Sequence, residues 1–585
     1  MMICLTSCSD DYLERAPLVE LSDANFWKTT NDLKIYVNNF YNQEGLLSRF
    51  YVHWYESPYT FDAIDGSDTY IMADYNGRLN GENTLPSSGG GWSSSDWSLL
   101  RNINYFMDHY QQVDGAWDVV KQYVGEALFF RSIFYFKKLV TFGDVPWVST
   151  TLYQNSPELF DPRMPRNQVT DSILYDLDLA IDYLPARAAG GWTGRVTKET
   201  ALALQARVAL YEGTWERYHA KKNTPFKVNG SDGTKFIQKA ADAAGNLMQL
   251  ADENGFPALA NTGVDYGYWL LFNQKDYSNN KEVLLWRKYS LAEEQVQHWV
   301  VGHAYGMGIT KTMIESYLCT DGKPIAVSPL YQGDKDLRTV VANRDPRLNQ
   351  TIQVNDSVHI VYNEPNLTYF TEPRFGVSTQ TSVTGYQRYK GHTADYQEIY
   401  VSNEQSTSGA IYFRYGETLL IYAEAKAELG TITQADIDIT VNALRKRAGM
   451  PAMLDINNIT PDPNWDFTGI SPLLQEIRRE RKVEMACENM RLNDIFRWAA
   501  ADEVIVGKRP LGALRKQWEI PDEETGEIPE RIATLPINAQ GYIDCYKNSP
   551  ALDNGYRFNV NRDYLMPIPT EQLVLNPALL QNPGW

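Results

Sequence analysis

Residues 415–449 read YGETLLIYAEAKAELGTITQADIDITVNALRKRAG, and this stretch decides the fold. Its first half, Tyr415 to Leu429, is helical in pattern and stops at Gly430; its second half, Thr433 to Ala448, stops at Gly449. The unit has about the length of a tetratricopeptide helix hairpin, near 34 residues. Ala423, Ala425 and Ala427 are small enough for close contact with a neighbouring helix. Working outward, Val120, Val124, Ala127, Leu128, Phe134 and Leu139 predict a helix over about 118–142, ended by Gly143 and Pro146. A second pair spans about 169–184, ending at Pro185, and about 197–211, with Thr197 as N-cap and Gly213 as the closing residue. Ser471-Pro472 opens another helix that continues to Glu488. Two blocks between these helices, about 50–100 and 255–410, are non-helical and rich in Gly, Asn, Asp, Ser and aromatics. The reading is all-α: a tetratricopeptide-like helix-pair scaffold with large irregular loop insertions. Loops on a rigid scaffold are where binding residues usually sit.

The 585 residues suffice for a large core, and the net charge of −19 argues against nucleic acid or an anionic membrane surface as partner. No apolar run reaches the roughly 18 residues that a membrane span needs. Cys319, Cys487 and Cys545 are scattered, with neither a disulfide framework nor zinc spacing. The 15 Trp and 37 Tyr, many in loop-like segments, serve either as packing anchors or as ligand platforms.

No nucleophile elbow, His-Glu-x-x-His, Walker loop or dinucleotide fingerprint occurs. His298 and His303 are five apart, the wrong spacing for one helix face. Asp62, Asp65 and Asp68 around Gly66 lack the EF-hand pattern, which leaves a structural calcium open but no other cofactor. With 73 acidic residues a glycoside hydrolase pair stays open, as does a protein-interaction scaffold. Arg131, in an apolar helix beside Phe130 and Phe134, is expected to be partly buried and paired with a carboxylate. Glu476, Glu480, Glu484 and Glu488 interleave with Arg478, Arg479, Arg481 and Lys482, and read as ion pairs along a helix face rather than as metal ligands.

Leu5-Thr6-Ser7-Cys8 looks like the lipobox of a bacterial lipoprotein, whose cysteine receives acyl chains. The segment Gly125-Glu126-Ala127-Leu128-Phe129-Phe130-Arg131, continuing to Phe142-Gly143-Asp144-Val145-Pro146, resembles the signature helix and turn of SusD/RagB-type lipoproteins. Further similar stretches are Gly194-Arg195-Val196-Thr197, Phe413-Arg414-Tyr415, Asn442 to Gly449, Ile477-Arg478-Arg479-Glu480-Arg481, and the close from Tyr564 to Trp585. They occur in order over the whole chain.

The resemblance implies a cell-surface protein of a Bacteroidetes-type bacterium. It would be anchored in the outer membrane by lipid on Cys8, would capture an oligosaccharide, and would hand it to a SusC-like TonB-dependent transporter without catalysis. Peptide is the alternative cargo. Residues 1–20 are then signal remnant, lipobox and tether, and 21–585 one domain. Tyr70, Tyr75, Arg78 and Trp92 from the first loop block, with Trp269, Trp299 and Tyr305 from the second, are the candidate ligand contacts. Trp97 reads as core, and Tyr396 and Tyr400 face either ligand or transporter.

Overall fold

The computed structural model describes residues 26–42, 47, 66–187, 193–261, 263–293, 306–355, 357–363, 365–376, 381–398 and 406–585. Cys8 and the tether, Asp62, Asp65, His298, Trp299, His303, Tyr305 and Tyr400 lie outside these residues.

The all-α reading holds. The N-terminal half is built from α1 (Thr30–Asn42), strand β1 (Tyr70–Met72), α2 (Ser94–His109), α3 (Trp117–Phe142), α4 (Arg166–Tyr183), α5 (Lys198–Lys221) and α6 (Thr234–Asn254). The longest, α3, is apolar around most of its circumference because α1, α2 and α4 cover it. Buried Arg–carboxylate pairs staple successive helices. Arg131 on α3 donates to both Asp176 oxygens on α4, at 2.7 and 2.8 Å, as expected of a buried arginine. Arg166 on α4 grips Glu212 on α5 at 2.7 Å and lies 3.8 Å over the Trp215 ring.

Gly213 is not a helix stop. It lies inside α5, where an added Cβ would fall 2.6 Å from the backbone nitrogen of Ile237 at the start of α6. The glycine serves a close crossing of two helices rather than a cap.

Then follow α7 (Gly267–Leu271), β2 (Val283–Arg287), β3 (Met307–Ile309), α8 (Lys311–Ser316), β4 (Val358–Asn363), β5 (Asn366–Tyr369) and β6 (Ala410–Arg414). Among the described residues the strands form three antiparallel two-stranded pairs: β1 with β3, β2 with β6, and β4 with β5. Tyr70 faces Ile309 and Met72 faces Met307, so the two irregular blocks meet along one seam.

The quoted hairpin begins as α9 (Tyr415–Glu428), but its second half is two helices, α10 (Gln434–Ile439) and α11 (Val441–Arg447). The break falls at Thr440, whose ψ of −90° is non-helical and whose hydroxyl donates to the Asp436 carbonyl at 2.5 Å. Helix α12 (Pro472–Glu484) starts as expected, with Ser471 capping the Leu474 amide, but ends one turn before Glu488. Helices α13 (Arg491–Arg497) and α14 (Thr570–Leu575) complete the outline.

The carboxylate stripe of α12 forms ion pairs, as expected, but mostly with other elements rather than along its own helix face. Glu480 and Glu484 are buried and reach across to other elements. Glu484 meets Arg347 at 2.9 Å, Arg414 at 2.8 Å, and Arg447 of α11. Glu480 meets Arg347 at 2.6 Å and Arg445 at 2.9 Å. Glu488 receives Arg414 at 2.7 Å and the buried Lys390 at 2.5 Å. Only Glu476 has a partner on its own helix, Arg479 at 3.4 Å. Burial opposes the charge on Glu484, yet Arg447, Arg414 and Arg347 hold its carboxyl far below the usual range.

Glu484→Gln keeps the shape but removes the charge that three guanidinium groups share. Each keeps another carboxylate partner: Arg347 has Asp345 and Glu480, Arg414 has Glu282 and Glu488, and Arg447 has Glu282. Urea unfolding should therefore show a loss of about 2–3 kcal/mol. An unchanged midpoint would refute the assignment. Glu216 of α5 is the opposite case. Burial first, and the neighbouring Glu212 carboxylate second, push its carboxyl up to about 7, while Ser231 donates to it at 2.5 Å. A raised acid binds protons on folding, so stability falls as pH rises from the unfolded value of 4.5 to about 7. Glu216→Gln should therefore raise stability by about 2–3 kcal/mol at pH 8 and change little near pH 4.5. Melting curves at both pH values check the sign.

Candidate functional site

Of the expected ligand contacts, Tyr70 is 2% exposed and donates its hydroxyl to Met307 Sδ at 3.4 Å, so its ring is sunk in the seam. Tyr75 is half-buried, donates to Glu82 at 3.1 Å, and meets Tyr546 edge-on. Arg78 donates to the carbonyls of Asp563 and Tyr564 at 3.1 and 3.0 Å and covers the Phe496 ring. It clamps the C-terminal segment. Trp269 on α7 stacks on Tyr389 at 5.2 Å and donates Nε1 to the His392 carbonyl. Tyr396 is half-buried. Asp68, one of the three aspartates read as a calcium option, accepts two bonds from Arg491 at 2.8 and 2.7 Å. None of these residues lines the groove that holds Trp92.

Trp92 does line a cleft. An open groove of about 810 Å³ runs between α2, the 146–160 segment and α14. A capping box builds its first wall: Ser93 caps the Asp96 amide, and the Asp96 carboxylate accepts from the Ser93 amide at 2.8 Å. This fixes where α2 starts and so where Trp92 and Trp97 stand, 5.3 Å apart and edge to face. Trp92 is the deeper of the two, 5% exposed and against Phe142, while Trp97 is half-buried. Both line the groove, Trp97 with the larger exposed face.

Lys138 packs behind Trp97, outside the groove's lining. Its ammonium lies 5.1, 5.4 and 5.9 Å from the centroids of Trp97, Phe134 and Phe142, and donates to the Gly91 carbonyl at 2.5 Å. Burial pushes the amine down to about 8, with the Asp96 carboxylate opposing. Gly91 takes φ +81°, which the missing Cβ permits.

The opposite wall is apolar and open: Leu159 and Phe160 are 44% and 60% exposed, and Leu575 on α14 is 59% exposed. Backbone bonds from Thr570 to the Pro86 carbonyl and from Glu571 to Ser87 seat α14 there. Ser94, Ser98, Glu158 and Gln572 supply scattered polar groups among these walls. Flat rings with a few polar partners suit a ligand that has both C–H faces and hydroxyls. Among the described residues no group of three or more His, Cys, Asp or Glu side chains is placed to hold a metal.

Sequence reading took Trp97 as core and did not single out Phe160 or Leu575, all three of which line the groove. The available signal was Phe160 in Pro157-Glu158-Leu159-Phe160-Asp161-Pro162, an aromatic held in a proline-flanked loop.

Residues 269–585 match the SusD family model, and residues 25–210 match a model described as starch-binding associating with outer membrane. The chain is similar to SusD-like protein P2 of Formosa agariphila, 23% identical over 100% of this chain and 98% of that one. SusD-like protein P38 of the same organism is 23% identical over 86% of this chain and 90% of its own. A SusD-like protein of Bacteroides fragilis shares the fold with TM-score 0.69 at 21% identity, covering 98% of this chain and 100% of that one. A SusD-like carbohydrate-binding protein of that organism gives TM-score 0.66 at 21% identity, covering 95% and 100%.

Because the Lys138 ammonium lies 5.1 Å from the Trp97 ring, tryptophan fluorescence should titrate with a midpoint near the amine's value of about 8. The transition should vanish in Lys138→Met. Its survival in that variant would assign it elsewhere.

Proposed function

The chain belongs to the SusD family, and on that premise we propose that it is a glycan-binding protein of the outer-membrane surface. It captures an oligosaccharide in the Trp92–Trp97 cleft and delivers it to a SusC-like TonB-dependent transporter. The observation that carries this reading is the cleft itself: two indoles on one wall, an exposed Phe160 on the other, and hydroxyl, amide and carboxylate groups between. Such walls pack on sugar C–H faces and bind without making or breaking bonds. No helix among the described residues is long and apolar enough to cross a membrane, and lipid on Cys8 supplies the attachment in this proposal. The description of the B. fragilis neighbour as carbohydrate-binding supports the ligand class. The apolar wall of Leu159, Phe160 and Leu575 is what favours peptide as the second reading.

The test is a glycan and peptide array on the soluble chain with Cys8→Ser, followed by calorimetry on the hit. Phe160→Ala and Trp97→Ala should each weaken a glycan hit about tenfold, the equivalent of about 1.4 kcal/mol. Phe160→Ala, at an exposed position, should leave the melting temperature unchanged. Unaltered affinity in both variants removes the cleft from the proposal. Cleavage of the hit ends the non-catalytic reading, and a peptide hit alone moves the cargo to the second reading.

A further inference from the structure

The segment 455–470, between α11 and α12, folds back over α12 and over α8, which follows β3 directly. A pocket of about 160 Å³ remains between them and shares no lining residue with the Trp92–Trp97 cleft. Arg479 of α12 and Trp465 of the segment both line it. The Arg479 side chain is 9% exposed and donates Nη2 to Asp462 at 2.6 Å. Its Nη1, and Nε1 of the half-buried Trp465, have no hydrogen-bond partner among the described residues. A buried donor left unpaired is costly, so two of them on residues of one pocket wall are groups that a small side-chain shift would turn to an entering acceptor. The same walls carry acceptors. Asp462 is engaged by Arg479, Asp466 by Lys482 at 2.8 Å, and Glu315 by Lys311, and each carboxylate keeps lone pairs to spare.

We propose that this pocket is a second carbohydrate subsite that takes one neutral sugar ring. The donor and acceptor balance selects that class. An anion would meet the Asp462, Asp466 and Glu315 carboxylates against only the Arg479 and Lys482 cations in the wall. A cation would leave both N–H groups unmet. A hydroxyl accepts from Nη1 or Nε1 while donating to a neighbouring carboxylate, and the indole offers a flat wall to ring C–H groups. The choice of a sugar over other neutral polyols rests on the glycan reading above.

The test uses the full chain with ¹⁵N-labelled tryptophan, the Trp465 indole signal being assigned as the one lost in Trp465→Phe. Glucose, galactose, mannose and xylose are titrated separately, with sodium acetate and guanidinium chloride as ionic controls. At least one sugar should move the Trp465 signal saturably, with a midpoint raised fivefold or more in Arg479→Lys and unchanged in Trp97→Ala. Calorimetry with the same sugar should show a similar loss in Trp465→Phe, which keeps a flat ring but lacks the donor. No response to any sugar up to about 100 mM, a binding free energy of only about 1.4 kcal/mol, overturns the proposal. So does a response to acetate or guanidinium alone. A sugar response at Trp465 combined with failure of the array variants at Trp97 and Phe160 would keep this pocket and remove the cleft.

Discussion

The rest of the structure hangs on a single buried carboxylate, Glu484, and on the rule that no charge enters a protein interior without its partner. Arg347, Arg414 and Arg447 come from three segments that no short-range rule brings together, and all converge on it. Arg414 also carries Glu282 at 3.1 Å and Glu488 at 2.7 Å, which ties the β2–β6 strand pair to the end of α12. Replacing such a network by apolar residues can be neutral, but removing one member leaves a stranded ion. The network therefore acts less as a source of stability than as a specification. Misplacing any one of these segments takes a partner from a buried charge, so the irregular second half of the chain is held to the arrangement in which Glu484, Arg347, Arg414 and Arg447 meet.

That explains which parts of the architecture could be read in advance. The helix at 117–142 announces itself by period, and Arg131 by standing alone among aromatics; both follow from local rules. The α12 stripe was visible as a pattern, but its partners were not, because Arg347 and Arg414 lie in segments with no period to place them. Gly213 misled for a related reason. A glycine that stops a helix and a glycine that lets two helices cross look alike in sequence, and only the Ile237 backbone distinguishes them. Helix α6 went unread although Phe236, Ile237, Ala240, Ala244, Leu247 and Ala251 are buried at helical spacing. Its stripe, half of it alanine, is strongly one-sided, so this helix was legible from local rules.

The candidate site was less legible than the fold. Trp92 and Trp97 were both visible, but their depth depends on the Ser93 cap and on Phe142 of α3, which a linear reading does not join. The open wall comes from two loops and from α14, at the far end of the chain. Tyr70 and Arg78 show the converse. Residues of ligand-binding type in a loop-like stretch proved to be parts of a seam and a clamp, because the first loop block is held by β3 and by residues 563–564.

The seating of α14 against Pro86 and Ser87 carries one more implication. Most of the cleft's lining comes from residues 88–160 and the remainder from the last segment, so an intermediate without a docked α14 holds only an unclosed part of it. Ligand occupancy is thereby a certificate of completed assembly. By mass action, whatever fills the groove draws the population toward fully folded molecules. A molecule whose groove is filled is, by that event, also proofread.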